Sequence, residues 1–160
     1  MLTLPHALLD ELAAKAATAP RGRAHHTVHL SNDDLVQRFF VAAQRTSYFR
    51  PHRHHTKSEL AIVLRGSFEL LTFDDSGAVL GRWCVGAGQP LFAWETPRNT
   101  WHTLLAREDG AVFAEVKEGP YDPATAVEFA PWAPAEGEPV AAACREWFRG
   151  AQSGDRFTAP

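Results

Sequence analysis

The chain has 160 residues, 45% of them hydrophobic and 22% charged, and a net charge of -3. This composition is enough for one sizeable core and argues against disorder. It gives neither the basic excess nor the basic stripe of a nucleic-acid binder, and no window nears the roughly 18 uninterrupted apolar residues of a membrane span.

The N-terminus lacks a basic start followed by an apolar run, so no signal peptide is expected. Leu4, Leu8 and Leu12 recur at a spacing of four, with Leu9 and Ala16 beside them. That stripe predicts an amphipathic helix, capped at Thr3 and ended by Ala19 ahead of Pro20. From about Val28 to Val116, short runs rich in Val, Phe, Leu, Ile and Thr alternate with turn clusters. They predict strands at 36–43, 47–52, 60–65, 68–73, 79–85, 91–94, 102–106 and 111–117. Asp74-Asp75-Ser76-Gly77 and Arg65-Gly66-Ser67 are tight turns between neighbours. Many short strands at this spacing make the fold all-β, a sandwich or barrel. After Lys117, closely spaced Pro and Gly predict a wrapping loop anchored by Tyr121, Phe129 and Trp132. A short helix marked by Val140, Cys144, Trp147 and Phe148 follows, and then a frayed tail. Residues 1–24, 25–118 and 119–160 thus read as helix and arm, barrel, and wrapping segment of one domain. With only two cysteines, Cys84 and Cys144, the chain reads as a reduced cytoplasmic protein.

The eight histidines cluster, and one cluster carries chemistry. On a strand His52 and His54 point to the same face, and Glu59 opens the next strand. His102 begins a later one. Singly, each has a plainer role: a solvated pair, a surface carboxylate, a satisfied core histidine. Together, three imidazoles and a carboxylate suit a first-row transition metal with positions left for a ligand. His25, His26 and His29 form another cluster but lack a carboxylate at ligand spacing, so they read as strand-edge residues. Cys84 sits in a predicted strand without a base and reads as buried and inert.

His52-x-His54, Glu59 and Gly66 resemble the first metal motif of the cupin superfamily, and Pro97-Arg98-Asn99-Thr100-Trp101-His102 resembles the second. Arg50-Pro51-His52-Arg53-His54, Lys57-x-Glu59, Phe73-Asp74-Asp75-x-Gly77, Thr100-Trp101-His102-Thr103 and Glu115-Val116-Lys117-x-Gly119-Pro120-Tyr121 extend the likeness to the WbuC family of cupin-fold metalloproteins. The resemblance implies a small double-stranded β-helix with one divalent transition metal, Fe, Mn, Ni, Co or Zn, held by His52, His54, Glu59 and His102. Three positions depart from the pattern: Thr46 and Asn99 replace glycines, and Ala106 replaces an asparagine. Asn tolerates the left-handed turn that Asn99 must make.

Around the ligands, Ala61, Val63 and Leu104 share their inward faces. Glu115 and Lys117 share one face of their strand, either in solvent or in a polar pocket; the resemblance favours the pocket for Glu115. Only one of Gln37 and Arg38 can face inward. Arg50 and Lys57 flank the ligands, at a solvated rim or turned inward toward an anion. Trp101 is expected either as a core anchor or as a pocket wall beside His102. Three functions follow: a metal-dependent enzyme, an oxygenase or isomerase acting on a small oxygenated or anionic molecule, sugar-related if the family's naming is a guide; a non-catalytic metallo-cupin that senses such a ligand; or a metal-free sugar isomerase or epimerase. Exposed strand edges predict a homodimer.

Overall fold

A computed structural model of the chain describes residues 1–159. Among them the elements run α1 (Ala7–Thr18), β1 (Arg23–Thr27), β2 (Val36–Ala43), β3 (His52–Arg53), β4 (Glu59–Arg65), β5 (Ser67–Phe73), β6 (Val79–Gly86), β7 (Ala93–Thr96), β8 (Trp101–Ala106), β9 (Ala111–Glu118), β10 (Glu128–Phe129) and α2 (Pro139–Gly150). The strands form two antiparallel five-stranded sheets, ordered β1-β2-β9-β4-β7 and β10-β3-β8-β5-β6. They face each other as a double-stranded β-helix. No helix among the described residues is long and apolar enough to cross a membrane.

Strand alternation and register decide what faces the interior. Across the first sheet the register lays Gln37, Lys117, Glu59 and Thr96 in one row. The next row is Thr27, Phe39, Glu115, Ala61 and Trp94, and the one after it His25, Val41, Phe113 and Val63. On the second sheet His52, His102 and Thr72 align, and Leu104, Leu70 and Trp83 align beside them. One end of the interior is therefore polar and the rest largely apolar. Phe68, Val85, Ala106 and Phe113 close the apolar end.

The outer faces are covered separately. Leu8, Leu9, Leu12 and Ala16 of α1 pack on Ala42 and Val112 of the first sheet. The second sheet buries Leu71, Phe73, Val79, Trp101 and Leu105 beneath Ala130, Ala133 and the α2 residues Ala141, Cys144 and Phe148. Arg82 fastens α2 by donating to the carbonyls of Phe148, Arg149 and Ala151 at its C-terminal end, where the helix dipole is negative.

Several expected boundaries shift. The predicted strand at 47–52 is paired only at its end, as β3; before it, Ser47 and Tyr48 bond through their side chains to the Gly22 and Pro134 carbonyls. The strands β1 and β10 are additional, each an edge with a single partner, which agrees with the edge reading of His25 and His26. The first helix starts at Ala7 with no side-chain cap rather than at Thr3. Trp132 is an anchor, packed on Phe73 and Trp101, whereas Tyr121 and Phe129 stay exposed. The tail expected to fray is tied instead: Ala78 bridges Arg156, Val79 N donates to Asp155 O, and Phe157 packs on Trp147. Pro160 lies outside the described residues.

Candidate metal centre

His52 and His102 are directly opposed in the β3–β8 pair, and His54 follows two residues after His52. Glu59, the first residue of β4, reaches them from the other sheet. Each of the four residues offers one ligand atom, and these atoms all lie within 4.8 Å of one another. The imidazole centroids are 5.2 Å (His52–His54), 4.4 Å (His52–His102) and 5.9 Å (His54–His102) apart. Asn99 makes the turn before β8 with φ 60°, and its N–H donates to the His54 carbonyl at 2.8 Å. The residue replacing the motif glycine thus keeps the left-handed conformation.

The hydrogen bonds fix the imidazole tautomers. His52 Nδ1 lies 2.9 Å from Arg50 O, His102 Nδ1 lies 2.9 Å from Thr100 O, and His54 Nδ1 contacts Ala126 O. A carbonyl only accepts, so each neutral ring carries its proton on Nδ1 and turns an unprotonated Nε2 inward. His54 Nε2 is 2.9 Å from Glu59 Oε1, and His102 Nε2 is 3.4 Å from Glu59 Oε2. Yet His54 Nε2 is buried without a hydrogen-bond partner. Lone pairs and a carboxylate facing one another in a buried space repel unless a proton or a metal cation lies between them. Burial, with His102 nearby, pushes His52 down to about 3, which keeps it neutral. Burial would raise Glu59, but a proton shared with His102 and His54, and the Lys117 charge, hold it well below the usual carboxylate range.

Behind the carboxylate stands Lys117. Its Nζ lies 3.0 Å from Glu59 Oε1 and 2.9 Å from Glu115 Oε1, and it sits over the Phe39 ring. Burial and the Glu59 charge push Glu115 up to about 7, against the pull of Lys117. Gln37 is buried and donates to Asp34 O at 2.7 Å, while Arg38 is exposed. Gln37, Glu115 and Lys117 all line a cavity of about 490 Å³ that also contains the four ligand candidates. Phe39, Phe49, Trp94, Leu104 and Phe113 form much of its remaining wall. His25 and Thr27 face inward from the edge strand β1 yet are exposed, and with Tyr121 and Phe129 they mark the mouth.

Three of the expected pocket residues lie elsewhere. Arg50 turns away from the cavity and donates to the Ala130 and Ala133 carbonyls at 3.1 Å each, fastening the wrapping loop. Lys57 donates to the Pro120 carbonyl. Trp101 alternates with His102 and so points out of the barrel, where its Nε1–H donates to Asp75 at 2.9 Å and Arg53 stacks on its ring. Cys84 is half-buried rather than buried, with Arg107 donating to its sulfur. His25 is read from the sequence as an edge residue but not as part of the cavity mouth, and the aromatic wall is not read at all; the signal for both lies in the strand register.

The sequence family described as Domain of unknown function (DUF6016) matches residues 4–85. Among curated proteins no sequence matches. Similar solved structures include KdgF from Halomonas sp., with TM-score 0.51 and 19% identity, covering 67% of this chain and 86% of that one. An oxalate oxidase in complex with glycolate has TM-score 0.52 and 18% identity, covering 72% of this chain and 59% of that one. Protein SO0799 from Shewanella oneidensis has TM-score 0.55 and 11% identity, covering 75% of this chain and 82% of that one. The chain thus spans most of two of these proteins and little more than half of the oxidase. At such identities the likeness is one of fold, and the fold is the cupin barrel.

Proposed function

The chain belongs to the DUF6016 family, a name that fixes no activity, and from its site we propose that it is a metal-dependent cupin enzyme acting on a small oxygenated or anionic molecule. His52, His54, Glu59 and His102 would hold one divalent transition ion. The observation that carries this reading is the shared tautomer: three rings bonded to backbone carbonyls through Nδ1 leave three Nε2 lone pairs converging on one carboxylate. Such an ion supplies Lewis acidity toward an oxygen-bearing ligand, and redox chemistry if it is iron.

The chain's own groups do the rest. Lys117 fixes Glu59 and offsets its charge. Turnover, rather than binding alone, is supported by Glu115, a largely buried carboxyl on the cavity wall whose Oε1 is paired with Lys117 at 2.9 Å. Held near neutrality, it can take or return a proton. The same reading groups the chain with the WbuC-type cupins on its motifs and takes residues 1–160 as one domain. It further expects a homodimer paired over an open strand edge, in a reducing cytoplasm where Cys84 and Cys144 stay free.

Elemental analysis of untagged protein, beside the His102→Ala variant, tests the site. The expected result is about one transition-metal equivalent per chain, lost in the variant while its circular dichroism stays that of the parent. Full occupancy in the variant, or no metal in either protein, overturns the reading.

A further inference from the structure

The cavity, about 490 Å³, is larger than a four-ligand cluster and a two-carbon acid require. The row containing Gln37, Lys117 and Glu59 lies at its polar end beside the histidines. Two residues further along each strand, about 7 Å, the wall becomes Phe39, Ala61 and Trp94, with Phe113 beyond and Leu104 and Phe49 opposite. Phe39, Phe49 and Trp94 pack against the buried cluster of the barrel, yet each is only half-buried. All three line the cavity, with Lys117 over one ring, Phe39, and Arg23 over another, Phe49. Water there is a poor partner for three rings, and an apolar group seated on them is a good one.

Within the row of Phe39, Ala61 and Trp94 the polar partners are two, Glu115 and Thr27. His25 stands at the mouth, and Arg21, Arg23, His29 and Asn32 also line the cavity, Arg23 with its guanidinium over the Phe49 ring. A polyhydroxylated chain seated on the rings themselves would leave the hydroxyls that face them desolvated and unpaired. We propose that the ligand is amphiphilic: an oxygen-donor head, a carboxylate with an adjacent hydroxyl or carbonyl, joined directly to an aromatic ring or compact apolar body that rests on Phe39, Phe49, Trp94 and Phe113. This deepens the metal-dependent reading above and rests on it for the head group.

Three acids with the same 2-hydroxycarboxylate head separate the alternatives: glycolate, gluconate and mandelate, the last as both enantiomers. Calorimetric titration into the protein as purified, with metal content measured on the same sample, gives their Kd values. Burying a phenyl group against the wall should make one mandelate enantiomer about 10- to 100-fold tighter than glycolate and gluconate. In Trp94→Ala and, as a milder change, Phe49→Leu, that advantage should fall to about threefold or less in at least one variant, with metal content retained. Gluconate matching or exceeding mandelate, or an advantage unmoved in both variants, overturns the inference while a bound metal leaves the reading of the site standing. Absence of metal together with no binding of any acid overturns both.

Discussion

Asn99 occupies a left-handed turn at φ 60° and fastens His54 through its backbone N–H. Asn99→Gly should leave stability within about 0.5 kcal/mol, because glycine reaches this conformation freely. Asn99→Val should cost about 1–2 kcal/mol, and urea melts of the three proteins check the order. Lys117 acts through charge instead, its ammonium satisfying Glu59 and Glu115 together. Lys117→Met should weaken metal binding about 10- to 100-fold, read by chelator competition, with the fold retained. His52, His54, Glu59 and His102 are legible in the sequence because strand alternation and motif spacing bring them to one place. The place of Lys117 is not legible, since either face of its strand could carry the charge until pairing with Glu59 is known. Trp101 misleads for a related reason: adjacency to His102 along a strand means opposite faces, not a shared pocket.

At the scale of elements, β2 is read from sequence with the same bounds the structure has, Val36–Ala43, because β-branched and aromatic residues fill it. β1 hides because Arg-Ala-His-His-Thr carries no apolar alternation; it is a strand only by pairing with β2. The stretch before β3 errs the other way. Tyr48 and Phe49 look like strand residues, but in place of a ladder the Tyr48 hydroxyl donates to the Pro134 carbonyl and the Phe49 carbonyl accepts from the Thr103 hydroxyl. The C-terminal helix is legible from its apolar spacing, although its role as the cover of the second sheet is not. Phe148, fully buried with its ring 5.4 Å from that of Phe73, anchors that cover. Phe148→Ala should lower unfolding free energy by about 3–5 kcal/mol, measured by denaturant titration, and leave metal content near that of the parent.

The whole molecule rests on three apolar clusters, none of which includes a ligand candidate. Chelation should therefore leave far-UV circular dichroism unchanged. Restoring the ion at about 100 times its Kd should raise Tm by roughly 5–10 °C, which calorimetry with and without chelator checks. A Tm indifferent to the ion would separate the site from the folding equilibrium.

The carbonyl of Ala126 that holds the His54 ring belongs to the same segment that walls the mouth with Tyr121 and Phe129. A ring fixed from inside and a segment fixed from outside share one bond, so their equilibria are linked and the linkage runs both ways. Ion occupancy should then be legible at the surface, as slower protease cleavage within 121–127. In turn, whatever presses that segment closed should tighten the hold on the ion, making the doorway of the barrel and its innermost ring two ends of one thermodynamic cycle.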